Sequence, residues 1–217
     1  MQQLTKLSAT SLNVFLDCPR CFWLMINKGI KRPRGPMPSI TTGMDTVIKK
    51  YFDIFRHKKV LPPFLKGKIS ARLIEKLPQA LYYKPSGKDA LLWGKLDECV
   101  ILEDGSYAAL DHKTKGSSPK EVHSSFKFQM DVYTLLLQEN GYKVKNVAFL
   151  VYYFPLEPWE EGEGFLFQTE VHSINTNPEN ARKVFFEALK VLEGPLPASN
   201  PECEFCKYID AINNLDV

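Results

Sequence analysis

Two C-x₂-C pairs stand near opposite ends of this chain: "CPRC" (Cys18, Cys21) and "CEFC" (Cys203, Cys206). One such pair is unremarkable in any chain. Two of them make a four-thiolate set with metal-site spacing. The inner cysteines, Cys21 and Cys203, lie 182 positions apart, so this is no local zinc ribbon. A shared centre brings the two ends of the fold together and closes a long loop, where a cross-link restricts the unfolded chain most. The ligands by themselves suit a tetrahedral Zn²⁺ or a cubane iron–sulfur cluster. Cys99, the fifth cysteine, reads as a small buried apolar residue on a strand.

Between the cysteine pairs the chain alternates helical and strand patterns. "SATSLNVFLDC" and "TTGMDTVIKKYFDIFRHKK" carry apolar residues at helical spacing, the second with Lys49, Lys50, Arg56 and Lys59 on its other face. "LPPFLKGK" reads as a loop, and residues 69–78 as a short helix or an insertion. "LLWGKLDECVIL" and "YAALDHKTK" flank "EDGS", a strong hairpin signal. "SSFKFQMDVYTLLLQENG" is a helix with Phe126, Met130, Tyr133 and Leu137 on one face. "NVAFLVYYF" and "GFLFQTEVH" read as strands, "NPENARKVFFEALKVLEG" as the last long helix, and the remainder as a Pro-rich tail. The expectation is an α/β domain, a small mixed sheet flanked by helices, with its termini joined by the four cysteines. Residues 1–217 form one such domain, with 1–40 and 195–217 as its cysteine-bearing end.

The hairpin concentrates charge. Alternation places Asp111 and Lys113 on one face of their strand and His112 on the other. With Asp104-Gly105 as a two-residue turn, Asp97 lies opposite His112; one bulge would set it opposite Asp111. Two carboxylates and a lysine suit metal-assisted phosphodiester hydrolysis. Hard oxygen ligands hold Mg²⁺ or Mn²⁺, and the lysine holds or activates the attacking water. D-x-K is a short motif, and an ion pair at a hairpin end accounts for it equally well.

The wider pattern is more specific. "GKLDECVILEDGSYAALDHKTKG" followed by "QMDVYTLLL" resembles the PD-(D/E)XK nuclease superfamily in its RecB-like branch, with that branch's G-x-x-D strand, D-x-K-T-G strand and Q-x-x-x-Y helix. The resemblance implies a restriction-endonuclease-like core. It implies Asp97 and Asp111 as metal ligands, the His112 backbone carbonyl as a further one, and Lys113 as the catalytic lysine. Gln129 and Tyr133 would lie beside the site to position DNA or the lysine. Many RecB-like nucleases carry a ligand histidine about four residues after an early glycine; here Val47 holds that offset after Gly43, and Asp45 is the nearest residue able to ligate. Asp45 also suits a plain first-turn role beside the helix dipole. At the cysteines the resemblance favours a 4Fe-4S cluster, as in CRISPR-adaptation nucleases, although those relatives split the ligands one and three while this chain splits them two and two.

Charge points to a polyanion. Residues 1–90 hold 17 Lys+Arg against 5 Asp+Glu, in a chain whose overall charge is only +3. Lys28, Lys31, Arg32 and Arg34, then Lys49 and Lys50, would form a basic wall for a phosphate backbone, with Trp23 or Phe64 available to stack on unpaired bases. Single-stranded DNA or DNA ends are the expected substrate, in repair, recombination or CRISPR adaptation, with protein partners from such a complex. A non-catalytic nucleic-acid-binding subunit on the same scaffold is the second reading. No apolar run is long enough to span a bilayer and "MQQLTKLSAT" has no signal-peptide apolar stretch, so the expected location is the cytoplasm.

Overall fold

The computed structural model describes residues 4–33, 35–36, 38–158 and 165–215. Its centre is the hairpin of β5 (Glu98–Leu102) and β6 (Tyr107–Thr114). Glu98 pairs with Leu110, Cys99 with Ala109 and Val100 with Ala108. The connection is Glu103-Asp104-Gly105, one residue longer than the two-residue turn expected from Asp-Gly. A turn closes from the Gly105 N–H to the Leu102 carbonyl (3.0 Å), and Gly105 then takes φ +76°, the left-handed conformation that completes a three-residue hairpin. Asp104 locks the bend by accepting from the Ser106 backbone N–H (3.0 Å) and hydroxyl (2.5 Å). Continued one step, this register brings Asp97 across from Asp111, the bulged alternative.

β6 is the middle strand of a five-stranded sheet ordered β2-β5-β6-β7-β8, where β2 is Ala71–Leu73, β7 Val147–Pro158 and β8 Phe165–Asn175. β6 and β7 run parallel, joined across one face by helix α4 (Ser124–Glu139); the other neighbours are antiparallel. Parallel pairing with a helical crossover buries both faces of a strand, and alternation sorts the residues of β6. Ala109 joins Leu150 and Tyr152 in the cluster under α4 and α5 (Pro178–Glu193). Ala108 and Leu110 join Val151 and Tyr153 in the cluster under α3 (Ser39–Arg56). Asp111 and Lys113 therefore leave on the α4 side and His112 on the α3 side.

A second sheet, β1-β4-β3, packs beside the first, with β1 Thr5–Ser8, β3 Leu81–Tyr83 and β4 Ala90–Gly94. "LLWGKLDECVIL", read as one strand, is thus two. β4 ends at Gly94 and β5 starts at Glu98 in the other sheet. The break falls where α4 packs against the strand: a Cβ on Gly94 would lie 2.8 Å from Leu136 Cδ1 and 3.2 Å from Tyr133 Cε1. Residues 69–78 hold strand β2 rather than a helix. The N-terminal segment continues from β1 into α1 (Ala9–Asp17), started by a reciprocal Ser8–Ser11 capping box, and α2 (Pro19–Asn27). The Pro-rich tail contains helix α6 (Glu204–Asn213). Among the described residues no helix is long and apolar enough to cross a membrane.

Arg56, expected on the basic solvent face of α3, is buried instead. Its Nη2 donates to both Glu98 oxygens, at 2.6 and 2.7 Å, and its Nε to Asp53 at 3.0 Å. Glu98 is 1% exposed at the first position of β5; burial pushes its carboxyl up to about 7, and Arg56 pulls the other way. This pair ties α3 to the strand that presents Asp97. Arg56→Met should cost roughly 3–5 kcal/mol in urea denaturation by stranding Glu98, and Arg56→Met with Glu98→Leu should recover most of it. Equal losses in the single and double variants would refute that account.

Candidate active site and metal centre

The Asp111 carboxylate is 2% exposed and lies 2.5 Å from the Lys113 ammonium on the same face of β6. Helix α4 supplies the rest from one stripe. The Gln129 carbonyl accepts from Lys113 Nζ at 2.9 Å, and its amide donates to Asp111 Oδ1 at 3.3 Å and to the Tyr133 hydroxyl at 2.8 Å. Gln129 thus bridges the acid and the lysine, and Tyr133, one turn on, fixes the amide's orientation. Phe126, one turn back, places its ring 4.5 Å from the Lys113 ammonium, a cation–π contact. Burial raises the Asp111 carboxyl to about 7, against the opposing pull of Lys113. Burial likewise pushes the Tyr133 phenol well above its usual value, so it acts as a neutral hydrogen-bonding group.

Asp97 approaches from the loop before β5, and its Oδ2 accepts the His112 backbone N–H at 3.2 Å. On its other side stands α3. Lys49 Nζ lies 2.8 Å from Asp45 Oδ2 and 3.5 Å from Asp97 Oδ1, so Asp45 reaches this site through a lysine. Asp97 and Asp111 thus meet Lys113 at the end of β6, and Lys49 links Asp97 outward to Asp45; among the described residues the three acids do not bring their ligand atoms within 4.8 Å of one another as the four cysteines do. The donor set suits a hard divalent cation: all carboxylate oxygen, two of the carboxylates already joined by an ammonium, and a third too buried to ionise readily without a cation nearby. The His112 ring points away from this cluster, as alternation required. It packs 4.5 Å from the Phe52 ring centre, its Nδ1 is 3.2 Å from the Tyr153 hydroxyl, and burial pushes its pKa down to about 4.

Comparison with protein families then decides the affiliation, for the description of the PD-(D/E)XK nuclease superfamily matches residues 53–211. The chain belongs to the PD-(D/E)XK nuclease superfamily. The match takes in Asp97, Asp111, Lys113, Gln129 and Tyr133, and stops short of Asp45 and the first cysteine pair. Among solved structures, the crystal structure of SSO0001 aligns with TM-score 0.48 and 13% identity over 100% of this chain and 88% of that one. An alkaline exonuclease (LHK-Exo) from Laribacter hongkongensis aligns with TM-score 0.48 and 10% identity over 97% and 94%. No curated protein sequence matches.

The second centre of this superfamily member is the cysteine set. Cys18 and Cys21 open α2, and Cys203 and Cys206 open α6, so two helix N-termini, their free N–H groups leading, meet at the sulfurs. Cys18 Sγ is 3.7 Å from Cys206 Sγ and Cys21 Sγ is 3.7 Å from Cys203 Sγ. All four sulfurs lie within 4.8 Å of one another and all four residues are buried. Cys21 is pushed up to about 12 by burial, while backbone N–H groups of Cys206 and Phe205 overcome burial to bring Cys203 down to about 7. Four buried sulfurs this close form a ligand set that can bind a metal, whose binding would release the thiol protons. Phe205 packs on it, whereas Tyr208, two residues beyond Cys206, is exposed.

The expected basic wall divides. Lys28, Lys31 and Lys50 are exposed. Arg32 is engaged at the cysteines: it pairs with Asp17, donates to Cys203 Sγ at 3.4 Å and stacks 4.8 Å from the Phe205 ring centre. Lys49 is held in the acidic cluster, and Arg34 lies outside the described residues. Trp23 donates to the Gly194 carbonyl at 3.0 Å and Phe64 packs among Tyr51, Phe52 and Tyr153, so both serve packing. Because the cysteines join segments so far apart in sequence, Cys206→Ser should lower Tm by on the order of 10 °C, and a strong chelator should do the same to the unsubstituted protein. Unchanged melting in both would mean that the ends are held by packing alone.

Proposed function

We propose that this protein is a Mg²⁺- or Mn²⁺-dependent deoxyribonuclease acting on single-stranded DNA or DNA ends, with residues 1–217 working as a single nuclease domain. The observation that carries this reading is the closed network of Asp111, Lys113, Gln129 and Tyr133, with Asp97 one strand away. Asp97, Asp111, the His112 backbone carbonyl and Asp45 would hold the divalent ion. Bound there, the ion would supply Lewis-acid stabilisation of the charge that develops on the phosphate oxygens. Lys113 is anchored by Asp111 and Gln129 with one donor to spare, so it can hold and orient the attacking water. The water oxygen forms the new bond to phosphorus and gives up a proton to solvent as the bond to the leaving sugar oxygen breaks, and the departing oxygen takes a proton from solvent. Gln129 and Tyr133 keep the lysine and Asp111 in place. The exposed Lys28, Lys31 and Lys50 suit a phosphate backbone, without groups arranged to read bases. A non-catalytic binding subunit would have no use for a lysine held so carefully against a buried acid.

Cleavage of end-labelled single- and double-stranded oligonucleotides should require Mn²⁺ or Mg²⁺ and should fall at least about a hundredfold in Lys113→Ala. Binding without cleavage in any divalent metal would sink the enzyme reading. The Asp111 carboxyl, raised to about 7, keeps its proton in mild acid, and that proton competes with the ion. In the same assay the Mn²⁺ concentration for half-maximal rate should therefore rise as pH is lowered from about 8 to about 6.

For the cysteine centre the reading is a 4Fe-4S cluster, which the family resemblance favours, with one Zn²⁺ as the alternative. The four buried sulfurs, all within 4.8 Å of one another, are the donor set for either. Protein purified without oxygen should be brown and contain iron; a colourless protein carrying about one equivalent of zinc would reverse the assignment.

A further inference from the structure

Lys113 belongs to the motif, and its place beside Asp111 follows from strand alternation. Lys49 does not. An i,i+4 pair on a helix ends at its partner one turn away, here Asp45. The Lys49 ammonium also reaches Asp97, a carboxylate from the loop before β5 and one of the residues read above as a cation ligand. It thus joins two acids from different elements, which is the task of the divalent ion. Its side chain is 42% exposed, so the ammonium can leave without disturbing the core.

We propose that Lys49 is a displaceable counter-ion: it neutralises Asp45 and Asp97 until a divalent cation binds, then swings out to pair with a phosphate of the nucleic acid. This rests on reading the acidic cluster as the divalent-cation site. A divalent ion on Asp45 and Asp97 would take up the oxygens that hold Lys49 and repel its ammonium, whereas Lys113, beside Asp111, keeps a second anchor in Gln129. The ammonium that is expelled is a compact charge on a flexible four-carbon stem, rooted on a helix whose next residue, Lys50, is exposed. Released from Asp97, it becomes an unpaired cation at the mouth of the site, where the substrate's phosphate arrives. Cation binding thereby prepares the phosphate site, and by linkage nucleic acid strengthens cation binding by the same factor.

Calorimetric titration of Mn²⁺, with no nucleic acid present, tests this. Lys49→Gln should bind Mn²⁺ at least about fivefold more tightly than the unsubstituted protein, while Lys49→Arg, which keeps the charge, should not. Oligonucleotide affinity is then measured in a Lys113→Ala background that prevents cleavage. There Mn²⁺ should strengthen binding with Lys49 present and lose most of that effect in Lys49→Gln. Melting curves without Mn²⁺ identify any variant that has merely misfolded, a fate that half exposure makes easy to avoid by using Lys49→Met as the alternative neutral variant. Equal or weaker Mn²⁺ binding in folded Lys49→Gln or Lys49→Met overturns the inference, and the active-site reading stands if Asp111→Asn still abolishes Mn²⁺ binding. Mn²⁺ binding that Asp111→Asn leaves intact would remove that reading and the role of Lys49 together.

Discussion

An acid in the middle of a sheet, covered on both faces, is the condition that the rest of this molecule answers to. Asp111 sits on the central strand at 2% exposure, where a bare carboxylate is prohibitively costly. Every neighbour on the α4 side compensates for it or holds a group that does. Lys113 supplies charge, Gln129 supplies a hydrogen bond and aligns the lysine, Tyr133 fixes Gln129, and Phe126 supports the ammonium from below. Even the missing side chain at Gly94 belongs to this set, since it lets α4 settle close enough for Tyr133 to reach its place.

Much of that arrangement was legible before any coordinates. Period-2 alternation put Asp111 and Lys113 on one face and His112 on the other, and helical spacing put Gln129 and Tyr133 together. Two C-x₂-C pairs announced that the chain ends meet. Other features left no trace a linear pattern could hold. β1 and β3 are too short to show periodicity. β4 and β5 are contiguous apolar text, yet they belong to different sheets because α4 interrupts them at Gly94. Arg56 and Lys49 looked like members of a solvated basic face, and both turn inward because acids from distant segments, Glu98 and Asp97, wait for them. Long-range charge pairing is decided by topology, and a single sequence does not display it. Arg32 illustrates the same point at the cysteines, where Asp17, Cys203 and Phe205 claim a residue that resembled a DNA contact.

The two centres share a physical logic. Each collects like charges that would repel and relies on cations to hold them together. At the oxygen site ammonium groups already do so, and in the reading proposed above one of them gives way to a divalent ion. At the sulfur site the cysteines are buried and lie at two helix N-termini, with Arg32 alongside. Under that reading one centre would serve turnover and the other permanence, a distinction that follows from hard and soft donors and from burial.

The three-residue hairpin between β5 and β6 has a consequence out of proportion to its size. Strand residues alternate sides, and each added or removed loop residue slides one strand by a step relative to the other. With Glu103-Asp104-Gly105 as the connection, Asp97 arrives beside Asp111; with one residue fewer it would arrive beside His112. The loop is exposed and touches neither acid, yet its span, held by the left-handed Gly105 and by the Asp104 carboxylate on Ser106, sets which side chain Asp97 faces. It works as a counting device.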